Sequence, residues 1–310
     1  MTYAQLDGIR LYYESAGAGR PVVLVNSMGT TLRTWDRVIA DLAADHRVIG
    51  YDWRGCGRSE RTWHGNTIEQ NAVDLLGLIA FLGLDRPVLA GVSVGALFAC
   101  HAARRADGQV GGVVVIDGPG HGGTLAAGAL RAHLGALAAD RAATVARSAA
   151  NWYSERSSDE LRAWTARQVL DASPHIDALY EEQTRYDPRC WLPDLTVPVC
   201  YVHGTLDKAV PISIAAELAA LTPGSVLVPV KGAGHMAHQE SPAEVAAAIR
   251  SLAGPSLRRP AHELDALEDG YTLASSVLAR LATVVRTRPA VARSSAGKSK
   301  IRAVISSMAV

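Results

Sequence analysis

Gly91-Val92-Ser93-Val94-Gly95 sets a hydroxyl nucleophile between two glycines. A serine hydroxyl attacks a carbonyl carbon only when a base takes its proton, so the chain must also carry a reachable histidine and an acid to orient it. Of the 10 histidines, His235 is the best placed: Gly232-Ala233-Gly234 precedes it and supplies a turn between an apolar run and a helical segment. His238 stands close by without such a turn. Asp207, in Val202-His203-Gly204-Thr205-Leu206-Asp207, is the expected acid. Asp117, at the end of an earlier apolar run, is its rival, with a turn or cap as the alternative role. The chain order Ser93, Asp207, His235 is the one expected where the serine sits on a sharp strand-to-helix turn.

Acyl transfer at such a serine passes through an anionic tetrahedral intermediate, which needs two N–H donors. Val94, directly after the serine, supplies one, at the start of a helix whose dipole favours negative charge. The second is expected from Asn26-Ser27-Met28-Gly29-Thr30, where the small neighbours of Met28 permit a tight turn, and the Met28 N–H is the expected donor. The Ser27 hydroxyl either contacts substrate or caps the turn.

Positioning these groups requires strands that end just before them. Pro21 to Val25, Arg47 to Tyr51, Pro87 to Ala90, Gly111 to Ile116, Val197 to Val202 and Ser225 to Val230 are short apolar runs. Each leads through a turn into a segment of helical spacing, the pattern of strands buried on both faces. They predict an α/β fold with a mostly parallel, doubly wound sheet. Ile9 to Glu14 alternates and predicts an antiparallel edge strand. Thr67 is an expected N-cap, and Ser241-Pro242-Ala243-Glu244 an expected capping start. The alternation breaks over about 118–195, a helical insertion between two strands that contains Trp152, Trp164 and Trp191. Such an insertion can cap the sheet and enclose a pocket, with Trp152 and Trp164 as candidate substrate contacts; a helical subdomain with core tryptophans is the alternative.

At 310 residues and 48% hydrophobic, the chain has ample material for a core, which excludes a disordered or rod-like protein. A net charge of +1 gives no global field for nucleic acid or an anionic membrane. Residues 1–254 hold 22 basic and 26 acidic residues, whereas 255–310 hold 9 and 4. The catalytic body is therefore expected at 1–254, with core 1–117 and 196–254 around the cap, followed by a basic extension: one amphipathic helix from Tyr271 to Arg286, then a solvated tail or, as the alternative, a polyanion or membrane contact. Four cysteines without Cys-x-x-Cys spacing imply neither a disulfide framework nor a metal site. With no apolar span or leader pattern, a cytoplasmic protein without membrane insertion is expected.

Five segments in order, Asn26 to Thr30, Tyr51-Asp52-Trp53-Arg54-Gly55-Cys56-Gly57-Arg58-Ser59, Gly91 to Gly95, His203 to Asp207 and Gly232 to His235, resemble the α/β-hydrolase superfamily from about Tyr3 to Ala253. Within it, Asn26-Ser27-Met28-Gly29-Thr30 followed by Thr31 to Asp36 resembles the β-ketoadipate enol-lactone hydrolases. Ala96 departs from the second glycine often seen after the nucleophile. By resemblance Asp52 and Arg54 brace their loop, with Arg54 pairing locally. The resemblance implies a serine hydrolase of a small ester or lactone, with no metal or organic cofactor and no nucleic-acid partner; whether it forms a homo-oligomer stays open. Cofactor-free haloperoxidase or perhydrolase chemistry, carbon–carbon hydrolysis and acyl transfer or cyclisation use the same triad and stay open as alternatives. So does a ligand-binding protein that keeps the scaffold without turnover.

Overall fold

The computed structural model describes residues 2–106, 108–118 and 124–254. The basic extension, with its expected helix from Tyr271 to Arg286, and the glycine-rich stretch 119–123 lie outside the described residues.

Among the described residues eight strands form one sheet: β1 (Thr2–Leu6), β2 (Ile9–Ala16), β3 (Arg20–Val25), β4 (His46–Tyr51), β5 (Val88–Val92), β6 (Gly112–Ile116), β7 (Val199–Gly204) and β8 (Val226–Val230). Their spatial order is β1-β2-β4-β3-β5-β6-β7-β8. Pairing is antiparallel from β1 to β4 and parallel from there on. Among the described residues ten α-helices accompany them: α1 (Asp36–Leu42), α2 (Ile68–Phe81), α3 (Val94–Arg105), α4 (Thr124–Ala139), α5 (Arg141–Trp152), α6 (Asp159–Asp171), α7 (Ala178–Gln183), α8 (Ile212–Leu221), α9 (Ala237–Glu240) and α10 (Pro242–Ala253).

The apolar runs are continuous because both faces of the sheet are covered. On β3, Val22 and Leu24 pack with Val38, Leu42, Val245 and Ile249 of α1 and α10, whereas Val23 and Val25 pack on the other face with Leu75 and Phe98 of α2 and α3. Alternate side chains thus feed two separate cores, as the period of a strand requires. The result is the expected doubly wound sheet. Because β3, β5, β7 and β8 are parallel, the turns carrying Met28, Ser93, Asp207 and His235 all leave the same edge, where α/β sheets bind ligands.

Two local expectations need correction. Ile9–Ala16 is antiparallel but is not an edge strand, since Thr2–Leu6 pairs with its outer side. The two are joined through Asp7-Gly8, with Gly8 at φ +74°, a hairpin signal that sets the register Leu6↔Ile9. Ser241 does immediately precede α10, but its hydroxyl makes no cap bond, and its N–H donates to Ala237 O of α9. Thr67 does cap α2, its hydroxyl accepting the Gln70 N–H at 3.1 Å.

Helices α4 to α7 intervene between β6 and β7. Leu137, Val145, Ala149, Ala166 and Val169 give them a small core of their own. Among the described residues, no helix is long and apolar enough to cross a membrane.

Candidate active site

Strand β5 runs two residues further than the apolar run suggested, so that Ser93 follows it immediately and α3 begins at Val94. Ser93 has φ +53° and ψ −122°, a conformation costly for any residue with a Cβ. Surrounding packing enforces it. A Cβ on Gly91 would lie 2.3 Å from Gly95 O, and one on Gly95 would lie 2.5 Å from Val25 O, so only glycine lets the turn close against itself and against β3. The Ser93 N–H is tied to Ile116 O at 3.0 Å, which fixes the turn to β6.

Ser93 Oγ is 3.0 Å from His235 Nε2, and His235 Nδ1 is 2.8 Å from Asp207 Oδ2. A carboxylate only accepts, so Nδ1 carries the proton and Nε2 is left to accept the Ser93 hydroxyl. The loop after β7 aims the carboxylate: the N–H groups of Ala209 and Val210 donate to Asp207 Oδ1 at 2.8 and 2.9 Å. Burial works against ionisation, but the charge of His235 and the hydrogen bonds from His203 and His235 hold the Asp207 carboxyl well below its usual range. Burial also opposes the imidazolium, yet the neighbouring Asp207 charge and hydrogen bond hold His235 above the ordinary histidine value of 6.5.

The rivals fall into structural roles. Asp117 accepts the N–H of Gly204 at 2.8 Å on one oxygen and that of Ala237 at 2.9 Å on the other, stitching the loops of Asp207 and His235 together. It is fully buried, and burial pushes it up to about 6. His238 is buried against the Trp35 ring, centroids 4.5 Å apart, and burial drives it down to about 3, which keeps it neutral.

The turn after β3 carries the Met28 N–H. Ser27 O accepts from the Thr30 N–H at 3.2 Å and its hydroxyl at 3.1 Å, the Asn26 amide donates to Thr30 O, and the Trp53 indole N–H donates to Asn26 O at 3.2 Å. Among the described residues, neither the Met28 N–H nor the Val94 N–H donates to a protein acceptor. Gly29 takes φ +69° and lies against Val169 of α6, while Gln168 Oε1 accepts from Thr31 N–H and hydroxyl at 2.9 and 2.6 Å. The insertion is therefore docked on this turn.

Trp152 and Trp164 part company. Trp152 lines a small cavity, with room for about one water, together with Met28, and its carbonyl accepts the His235 N–H at 2.7 Å. Trp164, half-buried on α6, is absent from that lining. Asp52 and Arg54 brace as expected: Asp52 accepts the N–H groups of Leu32 and Arg58 at 2.8 and 2.9 Å, and Arg54 forms a buried two-bond pair with Asp74 at 2.7 and 2.8 Å. Cys56 is fully buried, and burial pushes its thiol well above the usual range.

Two contributors were not anticipated. Glu240 accepts from the Ser154 N–H and hydroxyl, the Ser157 hydroxyl and the Gly234 N–H, at 2.9, 2.6, 2.6 and 2.5 Å, which anchors the His235 turn to the insertion. His203 Nε2 is 2.8 Å from Val210 O and 3.2 Å from Asp207 Oδ2. A carbonyl accepts only, so Nε2 is the donor. Asp117, His203 and Asp207 bring ligand atoms within 4.8 Å of one another, the one such grouping among the described residues. Both carboxylates already accept backbone N–H groups there, so hydrogen bonding accounts for the cluster.

Residues 20–242 match the family model described as alpha/beta hydrolase fold. The chain is 28% identical over 249 residues to the AB hydrolase superfamily protein YisY of Bacillus subtilis (strain 168), covering 76% of this chain and 91% of that one. Among solved structures, an esterase from Exiguobacterium antarcticum superposes with a TM-score of 0.76 at 23% identity, covering 81% of this chain and 98% of the esterase. The enol-lactonase from Burkholderia xenovorans LB400 superposes with a TM-score of 0.70 at 25% identity, covering 81% and 99%.

Proposed function

Because the chain belongs to the alpha/beta hydrolase family, we propose that it hydrolyses a small carboxylic ester or lactone through an acyl-enzyme on Ser93. The observation that carries this reading is the unbroken chain Ser93 Oγ, His235, Asp207, at 3.0 and 2.8 Å, with the Met28 and Val94 N–H groups uncommitted among the described residues.

His235 Nε2 takes the hydroxyl proton as Ser93 Oγ bonds to the substrate carbonyl carbon. The carbonyl oxygen becomes an oxyanion and receives the Met28 and Val94 N–H groups. Each such donor is worth about 10²–10³ in rate where it has been removed from comparable sites. Collapse breaks the bond to the alkoxy group, which leaves with the proton from His235; in a lactone it stays tethered to the acyl chain. Water then gives a proton to His235 and its oxygen to the acyl carbon, releasing the acid and restoring Ser93. Asp207 keeps the imidazole in the required tautomer and stabilises its charged form without being protonated itself.

The test is labelling with a fluorophosphonate probe alongside hydrolysis of a panel of aryl esters and lactones. Wild-type protein is expected to label and turn over, and Ser93→Ala to do neither. Labelling that survives in Ser93→Ala would point to a different nucleophile. Folded wild-type protein that neither labels nor turns over would favour a ligand-binding role.

A further inference from the structure

Ser27 has no hydrogen-bonding task for its side chain in the turn it belongs to. Its carbonyl, not its hydroxyl, takes the Thr30 N–H and the Thr30 hydroxyl, so the turn closes without a side-chain cap. Among the described residues the Ser27 hydroxyl neither donates nor accepts. The residue is only 3% exposed, yet its Oγ is not one of the unpartnered polar atoms that are sealed from solvent, so the little surface Ser27 keeps includes that oxygen. The hydroxyl is free to serve a ligand.

The sheet sets this residue beside the nucleophile. Val25 and Gly91 are paired across β3 and β5, and Ser27 and Ser93 each stand two residues further along. The chain therefore leaves the two strands side by side, where neighbouring strands are about 4.8 Å apart. A second contact holds them there. A Cβ on Gly95 would lie 2.5 Å from Val25 O and 2.7 Å from Asn26 O, so the peptide group that joins Asn26 to Ser27 rests against the first turn of α3, one residue past Val94. On its other side Ser27 is bonded to Met28. Only Cβ, Cα and the carbonyl carbon separate its Oγ from the Met28 nitrogen, close enough for one substrate oxygen to meet both donors.

We infer that Ser27 is a further catalytic residue, its hydroxyl giving the oxyanion a third hydrogen bond beside those from the Met28 and Val94 N–H groups. The inference rests on the Ser93 reading above and deepens it. A carbonyl oxygen has two lone pairs, which the two amides occupy. As Ser93 Oγ bonds to the carbonyl carbon, its proton passes to His235 and the carbonyl π pair moves onto the oxygen, which then carries a negative charge and a third lone pair. The Ser27 hydroxyl turns toward that pair and keeps its own proton. Such a bond is made in the transition state and not in the bound substrate, so it raises kcat and leaves KM nearly unchanged. Because every ester and lactone develops the same oxyanion, the contribution does not depend on the rest of the substrate.

The experiment measures kcat and KM of wild-type, Ser27→Ala and Ser27→Gly protein for para-nitrophenyl acetate, para-nitrophenyl butyrate and δ-valerolactone. It adds inhibition by an alkyl trifluoromethyl ketone, to whose carbonyl carbon Ser93 adds to leave a stable oxyanion. Both variants are expected to lose about 10- to 100-fold in kcat on all three substrates, with KM within about twofold; the loss is smaller than the roughly 10²–10³ of a fixed donor because the hydroxyl must first be ordered. Inhibition by the ketone weakens by the same factor as kcat/KM. Thermal melts and the final extent of fluorophosphonate labelling report that the variants are folded. Wild-type kcat in either variant, a loss expressed in KM alone, a loss confined to one of the substrates, or undiminished inhibition by the ketone overturns the inference while leaving the Ser93 reading intact. So does loss of the folded state in both variants, which would make Ser27 a structural residue. Wild-type protein that neither labels nor hydrolyses any of the three overturns both.

Discussion

The carbonyl of Trp152 accepts the N–H of His235 at 2.7 Å. A helix of the insertion therefore ends on the backbone of the candidate base, and the insertion helps hold His235 in place. A Cβ on Gly234 would lie 2.7 Å from the same carbonyl, so close approach of the two segments depends on glycine there.

Glu240 locks this junction, because its carboxylate joins Ser154 and Ser157 of the insertion to the Gly234 N–H. Glu240→Ala leaves several partly buried donors without their acceptor, at a cost of about 1–3 kcal/mol. The expected outcome is a lowered Tm and a kcat reduced more than KM, with Ser93 still labelled, as misplacing His235 slows proton transfer without removing the nucleophile. A Glu240→Ala protein with wild-type kcat would show that the junction is not needed to hold His235.

The pH profile follows from the direction of the His235 shift. As a base it must be neutral, and its neighbour Asp207 holds it above 6.5. Activity is therefore low in acid and rises with pH through a midpoint above 6.5. Asp207→Asn removes the charge that raises the value and allows the wrong tautomer, so it moves the midpoint down and lowers kcat by about 10⁴. Stopped assays of kcat/KM across the neutral range measure both; a midpoint below 6.5 in wild-type protein contradicts the assignment of His235 as base.

Much of this was legible in the residues because the chemistry constrains them locally. Gly91 and Gly95 flank Ser93 since no Cβ fits at either position, and that constraint appears in the sequence as a motif. The buried strands were legible for the same kind of reason, as continuous apolar runs. Glu240 was not, because it meets Ser154 across 86 positions, and no local pattern marks such a contact. Trp152 and Trp164 read alike in sequence, and only the packing of α5 and α6 decides which one lines the cavity. Ser241 is a partial failure of the opposite kind: α10 starts at Pro242 where the local signal puts it, but the Ser241 hydroxyl makes no cap bond.

His203 shares Asp207 Oδ2 with His235, at 3.2 and 2.8 Å. It touches no reacting atom and acts as a positioning residue. His203→Ala removes a competing donor, so Asp207 holds the His235 imidazolium more strongly and the acid limb of the pH profile moves to higher pH. Loss of the tie to Val210 O also loosens the Asp207 loop and lowers kcat several-fold with little change in KM. A merely structural role would lower the amount of folded protein without moving the limb.

Two pairs of glycines are expected to respond to alanine with opposite signs. At Gly91 and Gly95 the new methyl would meet backbone oxygens at 2.3 and 2.5 Å, atoms that cannot swing aside, and relief requires β3, β5 and α3 to separate. Either substitution is expected to cost about 3 kcal/mol, which for a domain of this size lowers Tm by roughly 6–12 °C, and to abolish labelling of Ser93 by distorting its turn. Gly128 and Gly135 are exposed within α4, and nothing lies within 4 Å of a Cβ at either. Alanine there removes only the conformational freedom of glycine in the unfolded chain, so the double variant is expected to gain about 1–2 kcal/mol with unchanged labelling. Thermal melts of the four single variants and the α4 double decide the matter: a Gly95→Ala protein as stable as wild type would mean that the nucleophile turn has room it is not expected to have.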